Sequence, residues 1–234
     1  MTERRASLWA VVPVKEIGRS KQRLSSALFS DERERLVRAM LRDVLCALRA
    51  ASGLADVLVV TRDADVGALA REIGAEVLAE RGPGDLNAAL RQAAAHLIAA
   101  GAPGLLVVPA DVPAVRSDEI SELAREHGAS PAITLVSDRR GVGTNALAAS
   151  PPDLCPFLFG EESFERHLAA ARAAGVEPKV LDSHGLRWDV DVENDLDAIA
   201  MQSPGPETSD LLRRFGRVVA PARQNELAAS EERL

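Results

Sequence analysis

The sequence predicts an α/β fold, a mostly parallel sheet flanked by helices. Two observations carry that reading. Leu8 to Val14, Ala55 to Val60 and Leu105 to Val108 are short apolar runs rich in valine and leucine, the second interrupted only by Asp56. They have the length and character of strands buried on both faces. Two strand–helix crossovers then fit within the first eighty residues, as parallel architecture requires.

The first run stops at Lys15, and a polar turn carrying Gly18 follows. Lys15, Arg19, Lys21 and Arg23 fall within nine positions. Ligands of open α/β sheets bind beyond the carboxyl ends of the strands. Charge-assisted donors suit phosphates there. A solvated basic turn is the plain alternative. Ser30 or Asp31 is expected to cap a helix to about Ala50, with Asp31 and Glu34 at capping-box spacing. Val37, Leu41, Val44 and Leu48 recur on its core face. After the second run, a helix from about Asp65 to Ile73 stops at Gly74, and Ala75 to Ala79 is a weaker third strand. The polar loop Glu80 to Asn87 carries Gly82 and Gly84, which let a backbone approach a ligand closely. Asn87 falls in the first turn of the next helix, where backbone donors are free.

Leu105 to Val108 reads as the central strand, ending in Pro109-Ala-Asp111-Val-Pro113. An aspartate just past a buried strand can hold a divalent ion, or it can cap a turn. Ser117 opens a helix to about His127, where a histidine is commonly structural. Ala132 to Val136 is the next strand. Gly141 and Gly143 then form a permissive loop before Thr144 and Asn145, whose compact polar groups suit a phosphate or a carboxylate. Ala146 to Ala149 returns to the sheet. Ser163 lies near a helix start, either as an anion contact or as a plain cap, and His167 sits one turn beyond it. Val176 to Leu181 is a late edge strand. Asp189 and Asp191 are separated by one residue, so on an extended segment they point the same way. Asp111 is their natural third partner in an ion site; Asp191 as a helix cap is the structural alternative. Glu193 to Ala200 forms the last helix of a single α/β domain over residues 1–200. Residues 201–234 read as a linker and tail. Leu211, Leu212, Phe215, Val218 and Val219 can form a short helix and an extended tail that packs on a second copy, in a homodimer, or on the rim of the site. Order is expected to end from about Ala220.

Composition narrows the function. The chain has 234 residues with a net charge of −7, so no general basic surface exists to bind nucleic acid. Aromatics make up 3%, too few for a base-stacking platform. Cys46 and Cys155 match neither a metal spacing nor a disulfide framework, which fits a reducing compartment. No stretch has the apolar length to span a membrane, and no signal-peptide core opens the chain.

Pro13-Val-Lys15 with Lys21-Gln-Arg-Leu24, Leu86-Asn87, Pro109-Ala-Asp111-Val-Pro113, Gly143-Thr-Asn-Ala-Leu147, Phe159-Gly-Glu-Glu-Ser-Phe-Glu-Arg-His167 and Asp189-Val-Asp191 follow one another in that order. Over roughly Leu8 to Ala200 the chain thereby resembles the guanylyltransferases of coenzyme F420 biosynthesis, which act on 2-phospho-L-lactate or phosphoenolpyruvate. The resemblance implies a nucleotide-diphospho-sugar-transferase-like, Rossmann-like sheet. It implies Mg2+ held by Asp111, Asp189 and Asp191. It implies an acceptor site at Thr144, Gly160 and Ser163, and a nucleotide side at Lys15, Lys21 and Arg23 with Asn87 beside them. Lys15, Lys21, Arg23 and Asp111 become the catalytic candidates. GMP would pass from GTP to a small phosphorylated carboxylic acid in the cytoplasm, releasing pyrophosphate. The product would go to the next transferase of the pathway. Three other readings remain open: a 3-phosphoglycerate guanylyltransferase, a sugar-phosphate nucleotidyltransferase and a non-catalytic nucleotide-binding subunit.

Overall fold

The computed structural model describes residues 8–82 and 85–221. Gly84, the side chain of Arg19 and the tail from residue 222 lie outside the described residues. Seven strands are β1 (Leu8–Pro13), β2 (Leu54–Thr61), β3 (Glu76–Ala79), β4 (Leu105–Val107), β5 (Ala132–Ser137), β6 (Thr144–Ser150) and β7 (Lys179–Val180). They form one sheet in the order β3-β2-β1-β4-β6-β5-β7. β6 runs antiparallel to both its neighbours, and every other pairing is parallel. The mostly parallel sheet read from the apolar runs is therefore present.

Alternation along the central strands builds two cores. Ala10, Val12, Val57, Val59 and Leu106 face one layer. That layer holds α1 (Ser30–Ala50), α2 (Ala64–Glu72), α4 (Ser117–Glu126), α6 (Glu193–Ala200) and α7 (Pro206–Arg214). Val11, Leu58, Val60, Leu105 and Val107 face the other, which is covered by α3 (Leu86–Ala99) and α5 (Ser163–Ala173). Successive strand residues point to opposite faces, so a sheet covered on both sides needs unbroken apolar runs.

Several details depart from the sequence reading. The N-terminus of α1 is closed by Glu32, not Glu34: its carboxylate accepts the Phe29 N–H at 2.8 Å. Thr144 and Asn145 are not loop residues but the first residues of β6. The late edge strand shrinks to Lys179 and Val180. Residues 188–191 join no sheet ladder, so Asp189 and Asp191 are not spaced by a strand's pleat.

The boundary expected at residue 200 is also not where packing ends. Leu212 of α7 is fully buried in the first core. The buried Asp43 carboxylate of α1 accepts the N–H groups of Glu207 and Thr208 at 3.1 and 2.8 Å. It thereby satisfies free donors at the α7 N-terminus. The residue before α7 has to be glycine, since a Cβ on Gly205 would come within 2.3 Å of the Asp43 carboxyl carbon. Ala220, where order was expected to end, donates its N–H to the Ala200 carbonyl at 2.9 Å.

Candidate functional site

A crevice of about 860 Å³ opens at the carboxyl edge of the parallel strands. Its walls include Pro13 at the end of β1 with Val14 and Lys15 beyond it, Arg62 beyond β2, Glu80 beyond β3 and Pro109 to Asp111 beyond β4. This is the edge at which ligands bind in doubly wound sheets, and the volume suits a nucleotide-sized ligand.

Lys15 and Arg23 stand exposed on the wall, and neither makes an ion pair among the described residues. Lys21 is used differently. Its ammonium bridges Asp111 and Asp191, meeting Asp191 at 2.6 Å. Burial opposes the charge on Lys21, but the two carboxylates hold its pKa above the ordinary lysine value. Lys21 sits at φ 54°, a left-handed conformation that costs a non-glycine residue energy.

The late segment reaches the crevice through backbone. Buried Val190 donates its N–H to the Asp111 carbonyl at 3.1 Å, which sets Asp189 and Asp191 on either side of this junction. Asp191 does not cap α6. That task falls to Asp195, whose carboxylate accepts the N–H groups of Asp191 and Val192 at 2.7 and 2.8 Å and pairs with Arg139. Asp189 turns toward Asn145, whose Nδ2 donates to it at 3.2 Å and to the Leu186 carbonyl at 2.9 Å. Burial raises the Asp189 pKa, and the charges of Asp111 and Asp191 raise it further. The expected trio is thus split. Lys21 holds two of its members, and among the described residues no three acidic, imidazole or thiol groups converge as a ready metal cage.

The chemistry of the donors nonetheless suits Mg2+. Asp111, Asp189 and Asp191 offer hard oxygen ligands, and two of them already share a cation in the Lys21 ammonium. Burial disfavours the charge on Asp189 and the charges of Asp111 and Asp191 repel it, and a cation among the three would relieve that repulsion.

Gly160 lines the crevice, whereas Thr144 and Ser163 lie behind it, buried. Ser163 Oγ accepts the Thr144 N–H at 2.9 Å, and Thr144 Oγ1 lies 2.9 Å from His167 Nδ1. Asn87 also sits behind the wall, and its amide is bonded to the backbone of Phe159 on both sides. Sequence reading missed Glu119, whose carboxylate accepts the N–H groups of Gly185 and Arg116 and the Ser183 hydroxyl. It fastens the turn before Asp189 to α4. Its only sequence signal is a third-position glutamate in the Ser117-Asp-Glu helix start, which reads as a cap.

Comparison with known proteins places this arrangement. A family described as Guanylyl transferase CofC like matches residues 8–233. A phosphoenolpyruvate guanylyltransferase of Sphaerobacter thermophilus is 40% identical over 204 residues, covering 86% of this chain and 96% of the relative. A 2-phospho-L-lactate guanylyltransferase of Methanothermobacter thermautotrophicus is 36% identical, covering 92% and 93%. Among solved structures, a proposed nucleotide-diphospho-sugar transferase from Desulfovibrio desulfuricans G20 superposes with a TM-score of 0.71 at 18% identity, over 90% of this chain and 98% of that one. A nucleotidyl transferase from Methanothermobacter superposes at 0.61 with 21% identity, over 89% and 99%. These structural likenesses establish the fold.

Proposed function

Because the chain belongs to the Guanylyl transferase CofC like family, we propose that it transfers GMP from GTP to phosphoenolpyruvate or 2-phospho-L-lactate in coenzyme F420 biosynthesis. One observation supports this reading above the others. The crevice at the strand ends is lined by Lys15, Lys21 and Arg23 together with the aspartates Asp111 and Asp191. A non-catalytic binder has no need to gather those carboxylates.

The acceptor's phosphate oxygen attacks the α-phosphorus of GTP, the bond to the β-phosphate oxygen breaks, and pyrophosphate leaves. The acceptor phosphate is already ionised near neutral pH, so no side chain has to remove a proton. Catalysis then rests on positioning and on neutralising charge. Lys15 and Arg23 line the crevice and make no ion pair among the described residues, so they can take the triphosphate without breaking such a contact. Lys21 can move from its carboxylates to a phosphate. Asp111 and Asp191, with Asp189 beside them, would hold Mg2+, which supplies charge stabilisation to the phosphates when bound. On the acceptor side Gly160 presents backbone at the wall. Thr144 and Ser163 are buried, and Ser163 Oγ serves only as acceptor of the Thr144 N–H, so its own hydroxyl proton can still be donated to the acid.

The test is pyrophosphate release by the purified chain with GTP, magnesium and a panel of phosphorylated acids. Release with phosphoenolpyruvate or 2-phospho-L-lactate, and little with 3-phosphoglycerate or sugar phosphates, is the expected result. Release only with a sugar phosphate would overturn the reading.

A further inference from the structure

We propose that Asn87 and His167 are positioning residues for the acceptor half of the crevice, and that Asn87 does not contact the nucleotide. The inference rests on the guanylyl-transfer reading above. Asn87 uses both ends of its amide on one residue: Nδ2 donates to the Phe159 carbonyl at 3.0 Å, and Oδ1 accepts the Phe159 N–H at 2.9 Å. That doubled bond fixes the peptide units on both sides of Phe159, and the next residue is Gly160. Leu158, just before it, donates its N–H to His167 Nε2 at 2.9 Å. A backbone N–H cannot accept, so Nε2 carries the lone pair and the ring proton sits on Nδ1, directed at Thr144 Oγ1 2.9 Å away. The Phe159 ring meets His167 edge-on, with centroids 4.8 Å apart.

Leu158 and Phe159, the two residues before Gly160, are therefore fastened from two helices, α3 through Asn87 and α5 through His167. Gly160 sits at φ 132°, a conformation that L side chains rarely adopt, and no heavy atom lies near its missing Cβ. Backbone rather than a side chain forms the wall there. Phe159 and Gly160 share the crevice with Lys21 and Asp111. The start of α3 has its own donors engaged, because the Asp85 carboxylate accepts the N–H groups of Asn87 and Ala88 at 3.3 and 3.2 Å. A phosphate at that helix start would have to displace a carboxylate already in place. Small acids offer few atoms to grip, so a displaced wall costs them more than it costs GTP.

The experiment compares Asn87→Ala and Asn87→Asp with the parent chain. Alanine is tolerated in the first turn of α3, and aspartate keeps the shape while losing the donor to Phe159. Both variants should raise the acceptor KM about tenfold, by analogy with the cost of small misplacements at reacting centres, with GTP KM nearly unchanged. Amide hydrogen exchange should quicken at residues 158–161 in both. A raised GTP KM with an unchanged acceptor KM would overturn the proposal, as would unaltered exchange in that segment. If the parent releases no pyrophosphate with either acid, the transfer reading fails. The exchange measurement still decides whether the clamp exists.

Discussion

Replacing Lys21 with methionine tests the centre of the site. The stem keeps its length while the ammonium between Asp111 and Asp191 is lost. The Lys21 side chain is 11% exposed, that of Asp111 25% and that of Asp191 51%. A hydrogen bond to a charged group under that much cover is worth about 1.5–3 kcal/mol. The Asp191 contact is half exposed and screened, so it adds less than about 1 kcal/mol. A divalent ion entering between these carboxylates has to displace the ammonium and forgo roughly 2 kcal/mol, a factor of about 30 in affinity. Lys21→Met should therefore bind Mg2+ or Mn2+ about 10- to 30-fold more tightly without nucleotide. Its guanylyl transfer should fall, because no ammonium remains to meet the triphosphate. Calorimetric titration with Mg2+, or Mn2+ resonance on the folded protein, reads the first effect, and pyrophosphate release reads the second. Equal metal affinity in parent and variant would refute the competition, and unchanged turnover would remove Lys21 from the nucleotide side.

Asp111→Asn keeps size and removes charge, so the variant should stay folded by circular dichroism while releasing almost no pyrophosphate. Near-parental turnover at ordinary magnesium would defeat the metal-site reading. Burial lowers the pKa values of His127 and His167 from 6.5 to about 4, so both rings are neutral in the fold and take up protons more readily once unfolded. Their contribution is complete above about pH 6.5 and is lost as pH falls toward 4, at roughly 3 kcal/mol per ring. Urea denaturation between pH 7.5 and 4.5 should show that decline, and a flat profile would contradict neutral burial. Asp43→Ala leaves the Glu207 and Thr208 N–H groups without their acceptor, so unfolding free energy should drop by about 2 kcal/mol, measured by the same titration; no loss would mean that α7 is held by apolar contacts alone.

Local signals carried most of the fold. The apolar runs at β1, β2 and β4 have the length and β-branched content of buried strands, and glycines such as Gly74 stopped the helices where the periodicity did. The reversed strand β6 was harder to place. Thr144 and Asn145 read as loop because Gly141 and Gly143 precede them, and because small residues such as Ala146, Ala148 and Ala149 give a weak strand signal. Only pairing with β4 and β5 makes them strand. The tail was misjudged for a similar reason. Ser203-Pro-Gly-Pro206 has linker composition, and nothing near it announces that Asp43, 164 residues from Glu207, caps the helix that follows.

The site divides along the same line. Groups that act at a strand end were visible, because the position of Asp111 after a buried run and the basic cluster after β1 are local facts. Groups that act through another residue were not. Asn87 at a helix start looks like an anion contact until Phe159, 72 residues away, is seen to occupy both ends of its amide. Asp191 looks like a cap until Asp195 takes that task and frees it for Lys21. In each case the residue type was read correctly, and what remained undetermined was which of several acceptors or donors it would meet. That choice is set by chain crossings such as the Val190 bond to Asp111. Such a crossing has no local sequence signature, because any residue other than proline can supply the N–H. The crossing nevertheless decides the geometry, since it sets Asp191 beside Asp111 and lets one lysine ammonium serve both.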